Sequence, residues 1–125
     1  MSKIRILIAD DHAVLRAGLK MLIENQPDMT VVGEAGDGET TLALVRALQP
    51  DVLLLDVTMP GKDGLAVLRA MGQVSPKTRT LLLTMHEEDA ILRAALAAGA
   101  AGYVLKRTVE TLFLEAVRAV MRGET

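Results

Sequence analysis

Four short apolar runs set the frame of the chain: Ile4–Ala9 (IRILIA), Val52–Leu55, Leu81–Leu83 and Tyr103–Leu105. Runs this short and this apolar read as strands buried on both faces, as in a parallel sheet. A weaker run, Thr30–Ala35, carries Gly33 and Glu34 and is expected at a sheet edge. Between the runs the apolar spacing lengthens to that of a helix. Ala13–Asn25 puts Leu15, Leu19, Leu22 and Ile23 on one side, with Asp11 or His12 as its cap and Pro27 as its stop. Glu39–Leu48 turns Leu42, Val45 and Leu48 inward and ends before Pro50. A short third helix, Gly64–Met71, is expected to be capped by Asp63 and ended by Gly72 and Pro76. Glu87, Glu88 and Asp89 suit the positive end of a fourth helix, alanine-rich, running to about Ala98 and stopped by Gly99. Thr108 caps a last helix from Val109 to about Arg122.

Strand and helix alternate five times, with proline punctuating three helix-to-strand passages at Pro27, Pro50 and Pro76. Strict alternation predicts an α/β fold: a doubly wound (βα)5 unit with a parallel five-stranded sheet and helices on both faces. Right-handed crossovers and the common order for five units give 2-1-3-4-5, with strands 1 and 3 at the topological switch point. Residues 1–125 fit one domain, with no linker, repeat or low-complexity segment.

Composition narrows the function. Half the residues are apolar and net charge is −2, with acidic and basic side chains interspersed. A nucleic-acid surface needs clustered Lys and Arg, and base stacking needs aromatics; here only Tyr103 and Phe113 are aromatic. With no cysteine there is no disulfide framework and no thiolate chemistry. The N-terminus MSKIRILIADD lacks a signal-peptide core, and no apolar run approaches the roughly 18 residues of a membrane helix. The expectation is a cytoplasmic protein without membrane contact.

The strand ends carry the chemistry. The first run ends in Asp10-Asp11, the third in Asp56, the fourth in Thr84 and the fifth in Lys106. The rim outside the carboxyl ends of the strands is where open α/β sheets bind ligands. Two carboxylates ~4 Å apart repel by about 4 kcal/mol at an effective dielectric of about 20, so a cation or a raised pKa must offset them. All the candidate side-chain ligands are oxygens, which suits a hard divalent ion such as Mg²⁺. A carboxylate can also accept a phosphoryl group as an acyl phosphate. Asp56, alone at the sheet centre, is the best-placed nucleophile, and Asp10 and Asp11 are better placed as metal holders. Lys106 and the Thr84 hydroxyl would hold phosphoryl oxygens. Asp10-Asp11-His12 also suggests a transition-metal site, but no second histidine stands at ligand spacing, so His12 and His86 are assigned cap or loop roles.

This constellation resembles the receiver domain of two-component response regulators, over essentially the whole chain. The acidic pair, Asp56, the loop MPGKDG, Thr84, and Tyr103 with Lys106 three residues later stand in the order of that family. DDHAVLRAGL, LTMH and GAAGYVLK are similar to the NarL/FixJ-type subgroup, whose members carry a C-terminal LuxR-type helix-turn-helix DNA-binding domain. The resemblance implies a flavodoxin-like receiver fold and a phosphorylation-dependent switch, not an enzyme beyond slow turnover of its own phosphoryl group. It makes Asp56 the phosphoacceptor of a sensor histidine kinase. It makes Asp11, Asp56 and the Thr58 carbonyl ligands of Mg²⁺, with Asp10 acting mainly through water. Thr84 and Lys106 contact the phosphoryl group, and Tyr103 turns inward as the Thr84 hydroxyl moves. The readout face is helix 4, strand 5 and helix 5, or helices 1 and 5, with a homodimer as one outcome. DNA is reached only through a domain expected beyond residue 125.

Two positions depart from the commonest receiver pattern. Arg107 follows Lys106 where a cis-proline is frequent, and Met85 follows Thr84 where many receivers have a smaller residue. Other readings remain beside the switch. An Asp-nucleophile phosphatase would need a second acid where Asp56-Val57-Thr58 has none. A flavin-binding domain of this topology would set Asp10-Asp11 against the cofactor phosphate. A phosphorylation-independent interaction module of the same fold is the main alternative. The last helix carries Leu112, Phe113, Leu114, Val117, Val120 and Met121, either a wide buried face or a protein-protein surface.

Overall fold

The computed structural model describes residues 3–56, 64–84, 90–106 and 109–123. Five strands alternate with five helices: β1 Ile4–Ala9, α1 Ala13–Glu24, β2 Met29–Ala35, α2 Gly38–Leu48, β3 Val52–Asp56, α3 Gly64–Val74, β4 Arg79–Thr84, α4 Ala90–Ala97, β5 Gly102–Leu105 and α5 Val109–Met121. All strand pairs are parallel and the order is β2-β1-β3-β4-β5, as the alternation predicts. Strand parity divides the core. Ile6, Ile8, Val52, Leu54, Leu81 and Leu83 pack with α1 and α5, while Leu7, Leu53, Leu55 and Leu82 pack with α2, α3 and α4. Burial on both faces is why these strands read as unbroken apolar runs.

β2 lies at an edge, as expected. Its pairing with β1 slips between Ile6 and Leu7, so Leu7 stands opposite Gly33 rather than Val32. A Cβ on Gly33 would lie 2.9 Å from Leu7 Cδ1 and 3.1 Å from Leu48 Cδ1, so the glycine marks a close approach.

Several local expectations change. α3 continues through Gly72 to Val74, so Gly72 does not end it. Helical propensity at glycine is a weak prior, and carrying the helix past it brings Val74 partly onto the core. His12 occupies the N-cap of α1 but makes no side-chain capping bond, and the capping role given to Asp11 or His12 is withdrawn. Asp37 does cap α2: its carboxylate accepts from the Thr40 N–H at 2.8 Å. The expected caps Asp63 and Thr108, and Glu87–Asp89, lie outside the described residues.

At the end of the sheet opposite Asp56, α2 closes on Gln49, whose φ of 46° is left-handed. Its side-chain amide donates to the Val74 carbonyl at 2.9 Å and accepts from the Ser75 hydroxyl at 2.9 Å, tying α2 to the end of α3. Arg5 donates to the carbonyls of Leu48 and Gln49. These bonds hold a conformation that costs a non-glycine residue about 1–2 kcal/mol. Gln49→Ala, which loses the bonds and keeps the strain, should therefore lose about 1–2 kcal/mol in urea unfolding, and Gln49→Gly distinctly less. The reverse order would show that the backbone there is unstrained.

Candidate functional site

The β1–β3 register builds the site. Ala9 is paired with Leu55, and one further step brings Asp10 beside Asp56. On the other side Asp56 pairs with Leu83 and Thr84 with Leu105, so Thr84 comes one step beyond the level of Asp56 and Lys106 two. Neighbouring parallel strands thus deliver their terminal polar residues to one rim at the switch point. Thr84 is buried there.

The carboxylates are deep. Asp10 and Asp56 are 0% and 1% exposed. Lys106, only 8% exposed along its side chain, sets Nζ 3.0 Å from Asp56 Oδ2 and 3.2 Å from Asp10 Oδ2. Desolvation opposes the ammonium form, but the hydrogen bond and charge of Asp56, with the charge of Asp10, outweigh it and push the lysine pKa up. The ammonium therefore stays charged between two buried carboxylates.

Asp10 is fixed from several sides. Its N–H donates to the Ala35 carbonyl at 3.0 Å, its Oδ1 accepts from the His12 N–H at 2.7 Å, and its carbonyl accepts from the Arg16 guanidinium. Its Oδ2 faces the Lys106 ammonium at 3.2 Å. Arg16 reaches Asp10 from the first turn of α1, with Nε 3.6 Å from Glu34 Oε1 on β2 and Nη1 against Gly36. The sequence reading gave Arg16 no role. Its only signal was an arginine one helical turn after His12.

His12 is the larger correction. Its ring is 62% exposed, yet Nδ1 points inward, 2.9 Å from Asp10 Oδ1, 3.2 Å from Asp11 Oδ1 and 3.3 Å from Lys106 Nζ. Asp10, Asp11, His12 and Asp56 each offer a ligand atom, all within 4.8 Å of one another. His12 keeps the loop position expected of it, at the N-cap of α1, and its ring joins the acidic cluster instead of capping the helix.

A divalent cation fits these residues. Three carboxylates face one described lysine and leave an excess of negative charge, which a hard cation on their oxygens would offset. Tyr103 is elsewhere: it lies on the edge strand β5, 41% exposed and turned outward. Thr58, Met85, His86 and Arg107, and with Arg107 the Lys106–Arg107 peptide, lie outside the described residues.

Sequence and structure comparisons agree with this geometry. Residues 6–118 match the response regulator receiver domain, and the chain belongs to that family. It is 43% identical over 122 residues to the oxygen regulatory protein NreC of Staphylococcus haemolyticus, a match covering 97% of this chain and 56% of that protein. It is 40% identical over 122 residues to the transcriptional regulatory protein YxjL of Bacillus subtilis, covering 98% of this chain and 56% of that one. The chain thus spans a little over half the length of the curated relatives it matches. The receiver domain of a putative response regulator NarL from Mycobacterium tuberculosis superposes with a TM-score of 0.92 at 40% identity, covering 99% of this chain and all of that one. The non-phosphorylated receiver domain of RcsB from Escherichia coli gives 0.91 at 30% identity, covering 99% and 97%. Among the described residues no helix is long and apolar enough to cross a membrane.

Proposed function

We propose that this chain is a phosphorylation-controlled switch in which Asp56 accepts a phosphoryl group from a sensor histidine kinase in the cytoplasm. The observation that carries the reading is the Lys106 ammonium held between buried Asp10 and Asp56 at the switch point. An Asp56 carboxylate oxygen attacks phosphorus, the bond from phosphorus to the donor histidine nitrogen breaks, and its electron pair returns to the imidazole. Lys106, already at hydrogen-bond distance from Asp56, then offers its N–H groups to the equatorial phosphoryl oxygens, together with the Thr84 hydroxyl. Asp10, Asp11, Asp56 and the Thr58 carbonyl are the proposed holders of Mg²⁺, which when bound neutralises charge shared by carboxylate and phosphoryl oxygens. Asp10, pinned by Ala35, His12 and Arg16, keeps its oxygens fixed while Asp56 reacts.

The change at Asp56 is local, so the output needs an element with two arrangements. Thr84 and Tyr103 are the proposed pair, Tyr103 turning inward from its exposed position on β5. The surfaces altered would be α4–β5–α5 or α1–α5, the second able to bring two copies together. The relatives NreC and YxjL are regulatory proteins longer than this chain, which supports a DNA-binding output domain beyond residue 125.

The test is labelling by acetyl phosphate, or beryllofluoride binding, with and without Mg²⁺, read by intact mass and amide NMR. The expected result is a single Mg²⁺-dependent phosphoryl adduct that Asp56→Asn abolishes. No adduct, together with unmoved resonances around Asp56, Thr84 and Lys106, would leave a phosphorylation-independent interaction module of the same fold.

A further inference from the structure

Lys106 meets the acidic cluster at its carboxylates, and Arg16 meets it at the backbone. Arg16 closes the first turn of α1, its N–H donating to the His12 carbonyl at 3.0 Å. From there Nη1 reaches back and donates to the Asp10 carbonyl. The guanidinium also covers the end of β2: a Cβ on Gly36 would lie 3.3 Å from Nη1, and Nε is 3.6 Å from Glu34 Oε1. Lys20 Nζ stands 3.6 Å from the other oxygen of Glu34, so two cations of α1 share that carboxylate. The rigid fork is thus held by the helix that carries it, the strand end it bonds and the strand end it covers. A planar peptide carries this constraint to the site. The Asp10 carbonyl and the Asp11 N–H belong to one trans unit, so fixing the carbonyl fixes the direction in which Asp11 leaves the backbone. Asp11 is the carboxylate that packing constrains least: its side chain is 34% exposed, while Asp10 and Asp56 are buried.

We infer that Arg16 is a positioning residue, which sets the Asp10–Asp11 peptide so that the Asp11 carboxylate faces Asp10 and Asp56. The inference rests on the Mg²⁺ part of the function proposed above. Its sign is opposite to that of charge. A cation beside an acidic cluster repels a metal ion, so by charge alone removing Arg16 would tighten Mg²⁺ binding. By positioning, removing it frees the Asp11 backbone and weakens binding. Loss of a group that orients a metal ligand typically costs about 10–100-fold in affinity. Lys20 is the internal control, because it faces the same Glu34 from the same helix and is a full turn further from Asp10.

The experiment is MgCl₂ titration of wild type, Arg16→Ala, Arg16→Lys and Lys20→Ala, with the Asp11 amide order parameter of each metal-free protein and acetyl phosphate labelling at saturating Mg²⁺. Arg16→Ala should weaken Mg²⁺ by about tenfold or more. Its Asp11 order parameter should fall from the roughly 0.85 of rigid backbone toward about 0.6. Labelling at saturating Mg²⁺ should stay within about threefold of wild type, since Asp56, Thr84 and Lys106 are intact. Arg16→Lys keeps the charge and one donor without the fork and should recover part of the affinity; Lys20→Ala should bind Mg²⁺ no more weakly than wild type. Unchanged or tighter Mg²⁺ binding in Arg16→Ala would overturn the inference, even with a lower melting midpoint, because the side chain would then only hold α1 to the sheet. An equal loss in Lys20→Ala would overturn it too. If Arg16→Ala does not fold, Arg16→Lys decides: weaker Mg²⁺ binding supports the inference and wild-type binding ends it. Wild type that takes no Mg²⁺ would strike the Mg²⁺ part of the function proposal instead. The inference would then stand on a lowered Asp11 order parameter in Arg16→Ala and fall on an unchanged one.

Discussion

Lys106→Met should destabilise the metal-free protein at neutral pH by about 3–5 kcal/mol, the usual result of removing one partner from a buried ion pair. Methionine fills much of the volume of the lysine stem, so packing changes little and the charge dominates. What remains is Asp10 and Asp56, 0% and 1% exposed, facing one another without the ammonium that lies 3.2 and 3.0 Å from them. The pH dependence has a definite sign. The folded pKa of Lys106 is raised, so its contribution is fully present below the unfolded lysine value of about 10.4 and is lost as pH climbs through the folded value. Wild type should therefore lose this advantage only on the alkaline side, and the two proteins should converge there. Urea unfolding of both from pH 7 to 11 measures it. A gap that stayed constant across that range would mean that the methionine cost came from packing. Mg²⁺ offers a second check: a dication on the same carboxylates should stabilise Lys106→Met more than wild type, by mass action on the folded state.

The rim was legible in the sequence because a parallel sheet leaves little freedom. Once β1 and β3 are neighbours, the residue after each apolar run must emerge beside its counterpart, and Asp10 beside Asp56 follows from spacing alone. Thr84 and Lys106 follow in the same way, one and two steps further along the register that runs from β3 through β4 to β5. Groups that reach the site from a helix were harder to read. His12 comes in from the N-cap and Arg16 from the first turn of α1, and their direction depends on how α1 packs on the sheet. A lone histidine or arginine carries no periodic signal. The left-handed Gln49 was hidden for a related reason: its conformation is held by partners 25 and 26 positions away in sequence, Val74 and Ser75. Gly72 misled because local propensity is a weak prior, and the continued helix brings Val74 partly onto the core.

The width of the apolar face on α5 was left open by the sequence, and Phe113→Ala decides it. In the fold Phe113, Val117 and Val120 are buried against Leu81, Leu83 and Val104, and Leu114 and Met121 pack partly on the same cluster. Phe113 is among the largest fully buried side chains of the chain. Truncating such a residue costs about 3–5 kcal/mol, because the neighbours collapse only partly into the space. That is a large share of the roughly 5–15 kcal/mol that holds a domain together. At about 4 °C per kcal/mol for a chain of this size, the melting midpoint should fall by roughly 12–20 °C. Phe113 packs in the apolar cluster beneath the sheet with Leu81, Leu83 and Val104, away from the rim formed by the strand ends, so the protein that remains folded at low temperature should bind Mg²⁺ with close to wild-type affinity. A loss below about 1 kcal/mol would mean that α5 does not dock through this ring. The apolar face would then be turned outward, and a partner surface would become the better account of it.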